Sequence, residues 1–187
     1  MKNAFVGSLA VALLMMAGCS NDVASQGDAV VFSASVPVTY GDIESLARDS
    51  KLVVVATVDG SRQEKIADLE VTRYELTVDQ DLSAASPKTI GVYQTGTEDW
   101  ILDTPIPPHL KVGNTYLLFL VPMGLPEGQV GSDGFGIVGV GAWERQGDAF
   151  RAYLNPDHEL TYGQIPTQIG ISELKTMIPL DLVGLGR

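Results

Sequence analysis

The sequence predicts a mainly β fold, a single small barrel or sandwich with two short peripheral helices. Three observations carry this expectation. Six or so short apolar or alternating runs recur at fairly even spacing, clusters of turn-forming residues separate them, and only two brief stretches near the margins show helical periodicity. Such a pattern favours strands packed on strands over the strand-helix alternation that builds parallel sheets.

A leader precedes this body. Lys2 gives a short positive start, residues 4–17 carry no charge, and the small residues Ala17 and Gly18 precede Cys19, the only cysteine in the chain. That three-part layout is a secretory signal. The apolar run falls short of the about 20 residues that cross a hydrocarbon core, so residues 1–18 read as a segment to be cleaved. Met16-Ala17-Gly18-Cys19 resembles the bacterial lipobox, whose cysteine thiol receives a diacylglyceryl group before signal peptidase II cuts on its amino side. Met16 stands where leucine is usual and supplies the apolar side chain that the position takes. The resemblance implies cleavage between Gly18 and Cys19, acyl chains on Cys19, and a membrane location facing outside the cytoplasm. Ser20, after the cysteine, permits an outer-membrane destination by resemblance to Gram-negative sorting rules.

Removing the leader leaves 169 residues with 11 basic and 23 acidic side chains, a net charge of −12. Phosphate backbones and anionic headgroups repel such a surface, which argues against a nucleic-acid partner and leaves the lipid as the membrane attachment. The length suits one domain that stabilises itself through an apolar core. No second cysteine exists for an intrachain disulfide.

Residues 19–28 (CSNDVASQGD) are polar, small and aperiodic, as expected of a lipidated tether, and residues 29–187 should form the domain. Residues 29–38 are β-prone. Asp42, Ile43, Leu46 and Ala47 give a short helical stripe ending near Ser50, with Thr39 and Asp42 in capping-box spacing. Residues 52–58 (LVVVATV) should form a strand buried on both faces, and residues 59–67 a polar turn. Residues 69–78 alternate with a phase slip between Val71 and Tyr74, which predicts a bulge or bend there before Tyr74, Leu76 and Val78 face one side. Ile90 and Val92 mark a third strand ending near Gly96.

Residues 96–114 hold three prolines and three acids and read as a long loop. Residues 115–121 (TYLLFLV) predict a fourth strand, followed by a Pro/Gly-rich loop over residues 122–134. Residues 135–143 and 149–154 flank Gln146-Gly147-Asp148 and predict a hairpin. Ile171, Leu174, Lys175 and Ile178 form a last amphipathic helix that Pro179 ends. A buried strand after a short helix, a run ending in Val78, and Gly-Asn-Thr-Tyr-Leu-Leu-Phe-Leu at residues 113–120 resemble small secreted OB-type domains, distantly including the netrin and metalloproteinase-inhibitor group. The likeness covers about half the chain through apolar pattern alone and implies an OB-like fold without functional residues.

Motifs for chemistry are sparse. Residues 134–139 match G-x-G-x-x-G but lack the preceding strand and following helix that hold a pyrophosphate, so the glycines read as a twisted or bulged strand. Asn155-Pro156-Asp157-His158-Glu159 places three potential ligands side by side, a poor geometry for convergence, and reads as a solvated turn. Asp79-Gln80-Asp81 lacks the glycine and distal glutamate of a calcium loop. No metal and no cofactor is therefore expected. The chain has no G-x-S-x-G, no H-E-x-x-H, and no cysteine nucleophile that survives lipidation.

The body's most informative residue is Trp100, flanked by Glu98, Asp99 and Asp103 in a loop that continues through three prolines to His109. Long loops on β domains often carry binding, and an aromatic among polar groups suits a sugar, peptide or protein surface; the alternative is a ring folded back as a lid on the core. The expected function is a lipid-anchored, non-enzymatic envelope domain that binds a protein or glycan partner through this loop. Two alternatives stand beside it: an envelope hydrolase or accessory factor working through a carboxylate pair, and a protease-inhibitor-like module.

Overall fold

The computed structural model describes residues 31–32, 40–66, 69–83, 86–97, 101–102, 107–123, 134–153 and 165–183. In chain order these contain β1 (Val31–Phe32), α1 (Ile43–Asp49), β2 (Leu52–Ile66), β3 (Leu69–Asp81), β4 (Thr89–Thr95), β5 (Ile101–Leu102), β6 (Thr115–Pro122), β7 (Gly134–Gln146), β8 (Ala149–Ala152), β9 (Gln168–Gly170) and α2 (Leu174–Met177). The protein is mainly β with two short helices, as the sequence predicts. Among the described residues no helix is long and apolar enough to cross a membrane. The leader, the tether and Thr39 lie outside them.

Seven strands form one sheet in the order β4-β3-β2-β6-β7-β8-β9, each antiparallel to its neighbour. A further pairing brings β4 alongside β7 in parallel, through Gly91↔Gly134, Val92↔Phe135 and Tyr93↔Gly136. That contact joins the two ends of the β4-β3-β2-β6-β7 run in a ring-like closure, with β8 and β9 continuing outside it. β1 and β5 make a separate parallel pair, so the long loop predicted over residues 96–114 holds a two-residue strand.

Two apolar cores follow from this arrangement. Val54, Ala56, Val58, Tyr74, Leu76, Val92, Tyr116, Leu118 and Leu120 fill the inside of the ring. On the other face of β2 and β6, Val53, Val55, Leu117 and Phe119 meet Leu46 and Ala47 of α1, Trp143, Phe150, Ile169, Leu174 and Ile178. Both central strands are thus covered on both sides, which is why they read as unbroken apolar runs. Each fully buried aliphatic or aromatic side chain stabilises the fold by about 1.5–3 kcal/mol relative to exposure.

The seven-residue α1 is too short to hold itself and depends on burial of Leu46 and Ala47. The capping-box spacing puts Asp42 inside the helix, three residues after Thr39; instead Asp42 is itself the cap, with extended backbone and a carboxylate that accepts from the Ser45 N–H at 2.7 Å. At the other end, the Ser50 hydroxyl donates to the Leu46 carbonyl at 2.7 Å.

Two expectations for β2 and β3 need correction. Residues 59–66 of the expected polar turn are strand: β2 runs to Ile66, paired with β3 from Gly60↔Glu75 to Ile66↔Leu69. Its distal half is a ribbon that is mostly solvent-exposed, so burial imposes no apolar alternation there. The phase slip between Val71 and Tyr74 is also no bulge. Val71 packs with Ile66 and Tyr93 in a small outer cluster, whereas Tyr74 enters the ring interior, so both faces recruit apolar residues from one regular strand. The bulges lie elsewhere, with Asp59 in β2 and Asp79 in β3 as the extra residues.

The glycine-rich segment is the strand β7. Gly139 has φ +48, and a Cβ there would sit 2.7 Å from Cδ2 of Tyr40, so only glycine permits both that backbone and the tyrosine against it. β7 and β8 form the predicted hairpin around Gly147-Asp148. The C-terminal helix is shorter than predicted, a 3-10 turn over Ile171–Glu173 leading into the single turn of α2, and it follows β9, which the sequence pattern did not reveal.

Candidate functional site

Of the residues that the sequence singles out, Gly18, Cys19, Glu98, Asp99, Trp100 and Asp103 lie outside the described residues, as does the 155–159 turn. His109 is described. It belongs to residues 107–114, the second half of the long loop, which closes one end of the ring interior by burying Leu110 completely.

Gln94 of β4 clamps this segment from one side. Its amide Nε2 donates to the carbonyls of Pro107 at 3.3 Å and Pro108 at 3.0 Å, and its Oε1 accepts from the Leu110 N–H at 2.9 Å. Three tyrosines hold it from below. Tyr74 Oη and His109 Nδ1 are hydrogen-bonded at 2.9 Å, the Tyr153 hydroxyl donates to the His109 carbonyl at 2.9 Å, and Tyr116 Oη accepts from the Lys111 N–H at 3.1 Å. Tyr116 and Tyr153 meet edge to face, with ring centroids 5.1 Å apart. At the rim the Asn114 side-chain amide donates to Glu144 Oε1 at 2.5 Å. His109 is half-buried, and its ring and carbonyl both serve to fix the loop.

Burial pushes the Tyr153 phenol well above its ordinary value, with Tyr116, Glu144 and Tyr74 adding to the effect. Burial also raises Tyr116; the Lys111 N–H works the other way, and the charge on Glu144 reinforces the rise. Both rings stay neutral over the physiological range and act as hydrogen-bond partners, so their chemistry here is positioning. Among the described residues no group of three or more His, Cys, Asp or Glu side chains could hold a metal ion.

The outside of the sheet carries a second polar arrangement. Thr115, Thr57, Thr77 and Thr89 stand directly opposite one another across β6, β2, β3 and β4. Thr57 donates to Asp79 Oδ2 at 2.6 Å, Thr77 donates to Asp59 Oδ2 at 2.7 Å, and the hydroxyls of Thr57 and Thr115 lie 2.9 Å apart. A signal for this was present in the sequence: Thr-Val-Asp occurs at residues 57–59 and again at 77–79. On the same face of β3 and β4, the Arg73 guanidinium lies over the Tyr93 ring, 5.6 Å from its centroid. A Cβ on Gly91 would come within 3.0 Å of Arg73 Nε, so glycine leaves room for that stacking.

Comparison with known proteins finds no matching family model, no matching curated protein and no matching solved structure.

Proposed function

We propose that this chain is a lipid-anchored envelope lipoprotein whose β domain acts by binding a protein or glycan partner. The observation that carries the reading is Met16-Ala17-Gly18-Cys19 at the end of an uncharged apolar run, with no other cysteine in the chain. Two acyl chains on Cys19 would hold the domain at a membrane outside the cytoplasm, where one chain alone binds only reversibly. The frame we assign is an OB-type barrel. Supporting it is the circuit β2-β3-β4-β7-β6, in which three successive antiparallel strands are followed by a parallel contact between the third member, β4, and the fourth, β7.

The binding element we assign is the loop over residues 96–106, which carries Trp100. Two features support it: the loop springs from a segment pinned by Gln94 and three tyrosines, and a rigid base is what lets a loop present a surface at low entropic cost. Labelling cells with a fatty-acid probe tests the anchor. The wild-type chain should incorporate the probe and Cys19→Ser should not; incorporation by the variant, at the mature mass, sinks the assignment. Cross-linking the full-length chain in its membranes tests the partner, and a pattern of adducts unchanged by Trp100→Ala would remove the loop from the reading.

A further inference from the structure

Past Thr57↔Thr115, its last pairing with β6, β2 leaves the ring and continues as one side of a two-stranded ribbon. Val58 still bonds the corner beside it, donating to the Asn114 carbonyl at 3.0 Å and accepting from the Gly113 N–H at 2.8 Å. From Gly60 to Glu64, the edge of β2 away from β3 has no strand beside it among the described residues. On β3 the corresponding edge is covered by β4 as far as Val71↔Thr95. An extended edge that presents backbone N–H and C=O groups is a template for another strand.

We propose that this edge pairs with the same edge of a second copy of the chain, antiparallel, about a two-fold axis at Gln63. The charge pattern selects both the occupant and the register. A two-fold axis through such a pair sets one residue opposite its own copy. Centred on Arg62, Glu64 or Lys65, it would put like charges face to face, which destabilises a cross-strand pair. Centred on Ser61, the pairing would need the Val58 edge that Gly113 and Asn114 already occupy.

Centred on Gln63, Arg62 of each copy faces Glu64 of the other, Ser61 faces Lys65, and no like charges meet. Within one chain Arg62 already bonds Glu64 at 2.6 Å and Glu75 at 2.9 Å, and its side chain is 51% exposed. In the pair, two such sets come together as alternating charges. Edge charges commonly guard a strand against indiscriminate pairing; here the same charges admit one partner in one register. The pairing does not depend on lipidation, although anchoring both copies in one membrane would raise their effective concentration.

Cysteine cross-linking of the full-length chain in membranes tests the register. Gln63→Cys should convert most of the chain to a disulfide-linked dimer under mild oxidation. Ser61→Cys is two residues away, and its copies would lie about 13 Å apart along the strands, beyond disulfide reach. It should therefore stay at the level of the wild-type chain, whose only cysteine is Cys19. In the Gln63→Cys background, Glu64→Arg sets two positive side chains opposite each other and should lower the dimer severalfold, and adding Arg62→Glu should restore it. Cross-linking of Gln63→Cys no stronger than that of Ser61→Cys overturns the proposal, and so does cross-linking that Glu64→Arg leaves unchanged. Probe uptake at Cys19 is read separately, so loss of the anchor and loss of the pair are told apart.

Discussion

The Thr77 hydroxyl on β3 donates to the carboxylate of Asp59 on β2 at 2.7 Å, and each bulge of the β2/β3 pair carries one such bond, with Thr57 donating to Asp79 at 2.6 Å in the other. Both aspartates are the extra residue of their bulge, and the Thr57↔Thr77 pair lies between them. Bulges bend a strand and increase its twist. Two of them, one on each strand, bend the hairpin where it passes from the ring into the ribbon. The threonines supply the donors that hold each extra residue against its neighbour.

A double-mutant cycle on Thr77→Val and Asp59→Ala should therefore give a coupling of about 0.2–1 kcal/mol, the range of cross-strand pairs. Thr57→Val with Asp79→Ala should give the same, and the two cycles should be nearly additive. Denaturant midpoints measure both. Coupling indistinguishable from zero in both cycles would mean that the bulges are held by the backbone alone.

The tyrosines under residues 107–114 predict an alkaline limit. The phenols of Tyr116 and Tyr153 are raised by burial, and Tyr40 is pushed up to about 12 by burial and by Asp49 beside it. Their folded values exceed the unfolded value of 10.0, so the stability they contribute is complete below that pH and is lost as pH rises through the folded values. Spectrophotometric titration should show part of the tyrosine ionising only as the chain unfolds. Tyr153→Phe removes the donor to the His109 carbonyl and should cost about 1–3 kcal/mol at neutral pH, because a buried acceptor is left short of its partner.

Asp81 predicts the acid limit. Burial alone would raise its carboxyl, but bonds from the N–H groups of Ser86 at 2.6 Å and Ser83 at 2.8 Å, together with the Ser83 hydroxyl, outweigh that and hold it below the ordinary 3.8. A depressed folded value contributes stability that is present above the unfolded one and is lost as pH falls through the folded one. Asp81→Asn should flatten the stability profile below about pH 4 and lower the neutral plateau. An unchanged acid slope would place the titrating carboxylate elsewhere.

The central strands, the short helix carrying Leu46 and Ala47 and the β7/β8 hairpin were legible in the sequence because burial writes itself into side-chain pattern. Residues 52–56 and 116–120 lie between two cores and had to be apolar throughout. Residues 60–65 were not legible as strand, since their pairing is made by backbone and their side chains are mostly exposed to water. β9 escaped for a related reason, being three residues long with Ile169 alone fully buried. His109 was legible as a singular residue. Its bonds to Tyr74 and Tyr153 span 35 and 44 positions, and no local pattern encodes a contact at that separation.

Gly139→Ala tests the reading of the glycine-rich segment as strand. The left-handed backbone costs a residue with a Cβ about 1–2 kcal/mol, and the Tyr40 ring 2.7 Å away adds steric strain. The melting temperature should fall, and Tyr40→Ala in the same chain should return the steric part but not the backbone part. Full rescue would show that the conformation of Gly139 is incidental.

Leu110→Ala separates the base of the long loop from its tip. Leu110 is completely buried at the closed end of the ring, and truncating such a side chain costs about 2–5 kcal/mol through lost contacts and the cavity left behind. The loss should appear in the denaturant midpoint. If the Trp100 loop binds a partner from a base fixed by residues 107–114, Leu110→Ala should also weaken retention of that partner, while Trp100→Ala weakens retention with little change in midpoint. The opposite result, a large midpoint loss for Trp100→Ala at unchanged retention, would identify the tryptophan as part of the packed closure and move the search for a binding surface to the threonine row across β6, β2, β3 and β4.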